Sequence, residues 1–354
     1  MSAPDVAVIG GGIVGVAAAA FLARAGARVE LFERGELAAA ASGRNSGAVQ
    51  HPYDPELVAL HRETVEHYRD LLELDDEPAG VLVLAREAAA LEPFVAGVDA
   101  VSPELEPALV DAREAEPALA PGIAACRLRT GYPVHPAAAT SAFARLARDA
   151  GAVLHTGANA ALAGRGVLVD GVRRPAGAVL VAAGPWTPAV VDPAGAWRPI
   201  APVWGVNVEV GLEEPPRAIL EEGGVEGAVA GKAPPVLFSL VTAAGVSALG
   251  STFLDEEPNP AALAPELLRH GRSFVPALAQ AGTISARACA RPASLDGRPL
   301  LGPVTGVDGL FVAAGHGPWG ISTGPASSRL VADAILHPGT KIPPALDVAR
   351  TCAG

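Results

Sequence analysis

The chain opens on a strand, a glycine-rich turn, a helix and a second strand, and few folds accommodate that order. Asp5-Val-Ala-Val-Ile-Gly10 is a short apolar run ending in glycine, which reads as a buried parallel strand. Gly10-Gly-Gly12-Ile-Val-Gly15 follows and matches G-x-G-x-x-G. Val16 to Gly26 reads as an alanine-rich helix closed by its glycine, and Ala27 to Glu33 as a strand ending in an acid. Each residue type has a physical task. Gly10 makes the tight turn, Gly12 lets a pyrophosphate approach the backbone, and Gly15 lets helix and strand pack closely. The N–H groups around Ile13 and Val14, at the positive end of the helix dipole, are placed to hold the diphosphate. Glu33 lies 23 positions after Gly10, with Arg34 beside it, where a carboxylate accepts from ribose hydroxyls and repels a 2′-phosphate. A dinucleotide with a free adenosine ribose is the expected ligand, and NAD and FAD both satisfy that motif.

Composition narrows the setting. At about 150 residues per domain, 354 residues suggest two domains, each large enough for its own core. Lys+Arg 26 against Asp+Glu 38 gives a net charge of −12, which opposes a nucleic-acid partner because phosphate binding needs a basic face. The mean hydropathy of +0.32 comes mostly from alanine. No run approaches ~20 bulky apolar residues, so no membrane span is expected. Cys126, Cys289 and Cys352 cannot all pair and lack metal-ligand spacing, so neither a disulfide framework nor a metal site is expected. The first strand begins too early to leave room for a signal peptide, and a soluble cytoplasmic protein is the expectation.

Three later blocks separate the two dinucleotides. Ser42-Gly43-Arg44-Asn45-Ser46-Gly47 is a second loop of small, hydrogen-bonding residues. Val179-Leu-Val-Ala-Ala183-Gly184-Pro-Trp186 is another strand running into glycine. Arg291 through Thr323 contains Asp308-Gly-Leu-Phe-Val-Ala-Ala-Gly315-His316-Gly317-Pro-Trp319-Gly320-Ile321-Ser322-Thr323, followed by a helix expected from about Pro325 to Leu336. With the N-terminal fingerprint, these blocks resemble the FAD-dependent amino-acid oxidases, the family of D-amino acid oxidase, glycine oxidase and monomeric sarcosine oxidase. They span nearly the whole chain in family order. An FAD also explains the C-terminal return that an NAD enzyme would not need. Gly315 and Gly317 leave room for a flat ring at the backbone, and the N-terminal end of the helix beyond Gly320 stabilises negative charge on it.

The expected architecture is α/β. Residues 1–80, 135–199 and 288–354 form a Rossmann-like FAD-binding domain. Residues 81–134 and 200–287 form a discontinuous α+β substrate domain on an antiparallel sheet, read from the alternating runs Val203 to Val210, Val236 to Val241 and Gly245 to Leu249. Pro55 to Leu74 reads as an amphipathic helix and Pro136 to Gly151 as another.

The resemblance implies oxidation of the C–N bond of an amino acid or related amine to an imine, by hydride transfer to flavin N5. The cofactor carries that chemistry, so the protein's site is recognised by anchors. Arg291 is the main anchor, because its planar fork matches a carboxylate and the arginine of a glycine-oxidase-type Arg-Pro stretch binds the substrate carboxylate. A structural ion pair with Asp296 or a glutamate is the competing use. Sarcosine oxidase binds its substrate through other basic residues, and here Gln50 and Trp319 stand in such places. Cys289 falls two residues before Arg291, at the spacing where sarcosine oxidase bears its flavin-linked cysteine, so a covalent link is the alternative to non-covalent FAD. His316 lies in the flavin-loop motif, while His51 is placed to face substrate, and the six other histidines read as surface residues. Tyr53, Trp204, Phe253 and Trp319 are candidate walls of an apolar pocket. Arg44 and Asn45 are expected at the cofactor. Lys232 and Lys341 are the only lysines, and neither falls in the strand expected to carry an oxygen-activating lysine. Oxygen or another acceptor takes the electrons. Oxidation of a 2-hydroxy acid, or a flavoprotein subunit needing a partner, are the other readings.

Overall fold

In the computed structural model, which describes residues 4–225 and 234–351, the N-terminus forms β1 (Val6–Ile9), α1 (Ile13–Arg24) and β2 (Val29–Phe32). Lys232 and Cys352 lie outside the described residues. β1 is central in a six-stranded sheet, parallel to β2 on one side and to Ala178–Val181 on the other. Val153–His155 and Leu310–Ala314 extend it in parallel, and Leu300–Pro303 closes one edge antiparallel. This is the expected dinucleotide-binding arrangement, with helices on the sheet and a crevice at the carboxyl ends of its strands.

Alanine explains how closely the helices sit. Ala17, Ala18, Ala19 and Ala20 have no solvent exposure, so α1 is packed on every side. A Cβ on Gly15 would fall 1.9 Å from the Gly10 carbonyl oxygen, so only glycine permits that turn and helix to meet. On α1's far side runs the helix Gly320–Leu336, whose Ser328 hydroxyl donates to the Val14 carbonyl at 2.8 Å. That helix starts five residues before the expected Pro325. Proline inside a helix has no N–H for the carbonyl four residues back. Here the orphan is Ile321, and the buried Tyr68 hydroxyl donates to its carbonyl at 2.9 Å. Tyr68 comes from the helix Val58–Leu72, which follows a short turn at Pro55–Leu57.

The second sheet has eight strands and is antiparallel except where Ile219–Glu222 runs parallel to Val81–Ala85. Side chains alternate between its faces. Leu220, Leu240, Leu249 and Val206 pack beneath the helix Pro260–Gly271 and a stacked pair of rings, Phe238 on Phe274 at 4.6 Å. Their neighbours Glu221, Ser239 and Asn207 line a cavity toward the parallel sheet. The expected boundary at residue 288 falls inside the strand Gly282–Ser294, which pairs with Ile200–Gly211 from Gly282 to Ser294 with one register shift between Glu209 and Val210. Residues 160–175 depart from the parallel sheet as well, forming a small antiparallel sheet of three strands. No helix among the described residues is long and apolar enough to cross a membrane.

Candidate active site

A cavity of about 680 Å³ runs from the carboxyl ends of the parallel strands to the inner face of the large sheet. At its first end the Gly10–Gly12 backbone and the start of α1 form the wall. Gly10 takes φ +115°, a left-handed conformation that glycine alone adopts without strain. Glu33 accepts from the Gly11 N–H at 2.6 Å and the Gly35 N–H at 2.8 Å, which fixes its carboxylate at the end of β2. The Arg34 guanidinium lies 4.1 Å over the Trp186 ring, giving this end a flat wall. Ser42 accepts from the Ile13 N–H at 2.9 Å and so ties the second loop to the N-terminus of α1.

That loop is also clasped from the large sheet. Asn207 donates to the Arg44 carbonyl at 3.0 Å, and Arg287 donates to the carbonyls of Arg44 (3.2 Å) and Asn45 (3.1 Å). Arg287 is itself paired with Glu209, which accepts from Ser285 at 2.6 Å. Asn45 borders the cavity, but its amide serves its own loop, donating to the Ala41 carbonyl at 2.9 Å and accepting from the Gly47 N–H at 2.8 Å.

Farther in, Gly317 and Gly184 border the cavity with φ of +54° and +56°. A Cβ built on either meets no atom within 4 Å. The space beside them therefore belongs to the cavity, as a flat ring against the backbone requires. His316, 2% exposed, also borders it, and burial pushes its pKa down to about 4, so the imidazole is neutral at pH 7. Among the described residues its Nε2 has no hydrogen-bond partner. Amide donors at a helix N-terminus, a fixed carboxylate at the strand end and a glycine-walled slot together fit FAD.

At the other end stands Arg291. It donates to the Thr252 carbonyl at 2.8 Å and to the Ser251 hydroxyl, and its guanidinium lies 4.5 Å over the Phe253 ring. Asp296 is not its partner, since that carboxylate pairs with Arg350 at 2.8 Å. Among the described residues no carboxylate forms an ion pair with Arg291, and burial pushes its pKa below the ordinary guanidinium value. Trp204, Phe253 and Trp319 line the same cavity. Cys289 borders the cavity at 3% exposure, and burial pushes its thiol pKa up. Glu221, 9% exposed, faces the cavity from the strand Ile219–Glu222 and accepts from the Gln50 amide at 2.6 Å.

Most of the expected site residues reach this cavity, including Gly10, Gly12, Ile13, Val14, Glu33, Arg34, Ser42, Arg44, Ser46, Ala183, Gly184, Trp186, Cys289, His316, Gly317, Gly320, Ile321, Arg291 and Trp319. Eight stand behind its wall. Gly15, Gly43, Gly47 and Gly315 answer to packing: a Cβ on Gly43 would come within 2.2 Å of the Ala38 carbonyl, on Gly47 within 2.1 Å of that of Val134, and on Gly315 within 3.3 Å of Ser294. Ser322 accepts from the Gln50 N–H at 3.1 Å, and Thr323 donates to the Trp319 carbonyl at 2.9 Å. Tyr53 props Trp319 edge-on, with ring centroids 6.0 Å apart. His51 faces no substrate space. It is buried against His61 at 5.3 Å, and burial lowers the pKa of both, that of His61 to about 3. His61, at 5% exposure, is thus not the surface residue expected. Sequence reasoning missed Asn207, Arg287 and Glu221. The one signal was polar and charged residues inside otherwise apolar strands.

Comparison with known proteins agrees with this geometry. Residues 5–334 match the family described as FAD dependent oxidoreductase (DAO). A glycine oxidase of Pseudomonas aeruginosa is 30% identical, over 93% of this chain and 93% of its own. The crystal structure of glycine oxidase from Geobacillus kaustophilus superposes with a TM-score of 0.82 at 25% identity, covering 98% of this chain and 97% of that one. Iminodiacetate oxidase from Chelativorans sp. BNC1 gives the same TM-score and identity over 97% and 98% of the two chains.

Proposed function

Because the chain belongs to the DAO family of FAD-dependent oxidoreductases and oxidises an amine or amino acid with FAD, we propose that its substrate is a small amino acid held by its carboxylate at Arg291. The observation that carries this reading is a shielded guanidinium at the cavity wall with no carboxylate paired to it among the described residues. A cation kept in such a place is costly unless an anion arrives to meet it. The sarcosine-type alternative has nothing to use here, since Gln50 and Trp319 carry no charge.

Bound FAD supplies the two-electron acceptor for a C–H bond beside nitrogen. The protein's share is placement. Thr252, Ser251 and the Phe253 ring hold the Arg291 fork in one plane, so a carboxylate engaged by both its arms presents its α-carbon in a defined orientation. Trp204, Phe253 and Trp319 exclude water from the α-carbon. The N-terminal end of the helix Gly320–Leu336 and the neutral His316 border the slot where the ring belongs. Oxygen or another acceptor then takes the electrons, and the imine product hydrolyses in water.

Anaerobic mixing tests the reading. A small amino acid should bleach the flavin absorbance near ~450 nm, whereas its decarboxylated amine should do so far more slowly. Bleaching by 2-hydroxy acids and by no amino acid would assign the enzyme to the other chemistry.

A further inference from the structure

The Arg291 fork rests on a gap in the neighbouring strand. In the ladder between Ile200–Gly211 and Gly282–Ser294, Val203 stands opposite Arg291 and Gly205 opposite Cys289. Residues two apart share a face of the sheet, so Gly205 is the diagonal neighbour of Arg291, within reach of a long side chain. A Cβ built on Gly205 would lie 2.5 Å from the Arg291 guanidinium carbon and within 2.6 Å of both terminal nitrogens. Distances so nearly equal place that Cβ over the flat face of the guanidinium. Gly205 is buried and its φ is not positive, so the backbone there is one that any residue adopts. What calls for glycine is the space that Arg291 fills.

We propose that Gly205 is a positioning residue for substrate binding, its missing side chain being the seat that sets the plane of the Arg291 fork. This rests on the carboxylate reading of Arg291. Thr252 ties seat and fork together. Its hydroxyl accepts from the Val206 N–H at 3.0 Å and donates to the Trp204 carbonyl at 3.2 Å, on either side of Gly205, while its carbonyl accepts from Arg291 at 2.8 Å. The strand is thus fixed relative to the fork's own acceptor, so a side chain at position 205 would displace the guanidinium and not the backbone. Each terminal nitrogen of Arg291 uses one N–H on Thr252 or Ser251 and keeps a second for a carboxylate held at two points. Ordinary van der Waals contact begins near 3.4 Å, so an added methyl would push the fork about 1 Å out of its seat. A misplacement of about 1 Å in a group that orients substrate costs on the order of 100-fold in rate.

Gly205→Ala, Arg291→Ala and the double variant test the seat on the FAD-loaded enzyme. Steady-state kinetics on a small amino acid and its decarboxylated amine give one readout, and thermal melts the other. Gly205→Ala should lower kcat/KM for the amino acid by about 100-fold, and for the amine far less. In the Arg291→Ala background the same substitution should change the amino-acid value by less than about twofold, because the group it displaces is gone. Likewise, Gly205→Ala should lower the melting temperature only while Arg291 is present. Amino-acid kcat/KM that stays within about twofold of wild type in Gly205→Ala overturns the proposal. So do equal losses on amino acid and amine, or equal losses in the two backgrounds. If Gly205→Ala fails to fold or to hold FAD, the double variant decides: recovery supports the seat, and failure there too makes Gly205 a packing residue of its strand and overturns it. If Arg291→Ala alone leaves the preference for amino acid over amine unchanged, the carboxylate reading fails instead, and the paired melts still report whether Gly205 seats Arg291.

Discussion

Replacing Arg291 by leucine separates its use from its structural role. The side chain makes two hydrogen bonds, to Thr252 and Ser251, and one cation–π contact with Phe253 at 4.5 Å. If a substrate carboxylate is its counter-ion, the variant loses one partner of a shielded, charge-assisted pair, a loss of about 3–5 kcal/mol. At about 1.4 kcal/mol per tenfold, kcat/KM for amino acids should fall by roughly two to three and a half orders of magnitude. Activity on amines without a carboxylate should hardly change. Lysine should not rescue, since a single ammonium cannot match the fork. Stability follows a different course. Removing a desolvated cation relieves several kcal/mol, while losing its two hydrogen bonds at about 1.5–3 kcal/mol each cancels most of that. The melting temperature should therefore move by only a few degrees. Steady-state kinetics on a matched amino acid and amine, with a thermal melt, provide both readouts. Equal losses on the two substrates, or none on the amino acid, would refute the reasoning, and a collapse of the melting temperature would make Arg291 a structural residue.

Other consequences can be measured separately. Tyr68→Phe leaves the Ile321 carbonyl unsatisfied beside Pro325, so it should destabilise the fold by about 1–3 kcal/mol in a denaturant titration; an unchanged midpoint would mean that carbonyl finds another donor. Burial keeps the Cys289 thiol protonated and poor as a nucleophile, so acid precipitation should release yellow colour to the supernatant, and colour in the pellet would signal a covalent bond. Burial pushes the Glu63 carboxyl up, but hydrogen bonds from Arg329 and His67 outweigh it and hold the group at about 2. A carboxylate so depressed stabilises the fold above its ordinary value of 4.5 and stops doing so as protons bind down to about 2. The melting difference between wild type and Glu63→Gln should therefore shrink across that window, and a difference that is constant with pH would contradict the assignment.

The legible parts of the chain were those whose chemistry is local. Gly10, Gly12 and Gly15 announce a turn, a close approach and a packing contact within six residues, and the turn at Gly10 and the packing at Gly15 are visible in the fold. Part of the second sheet was legible as alternation, but alternation tells only that neighbours such as Val206 and Asn207 point opposite ways, not which face meets the cavity, and the strand Ile219–Glu222 was not read at all. Glu221, Asn207 and Arg287 became readable only once the two sheets stood opposite each other. Pro325 misled for a related reason. Taken alone it marks the first turn of a helix, and the hydroxyl that lets the helix begin earlier comes from a residue 253 positions away. The sequence around His51 said nothing of its ring contact with His61, on the helix Val58–Leu72.

The clasp of Asn207 and Arg287 on the carbonyls of Arg44 and Asn45 ties the half of the molecule that shapes the substrate to the loop that shapes the cofactor site. Anyone redesigning the substrate wall on those two strands will therefore be tuning flavin retention at the same time. A variant selected for a new amine should be checked for cofactor leakage before its turnover is credited to the pocket.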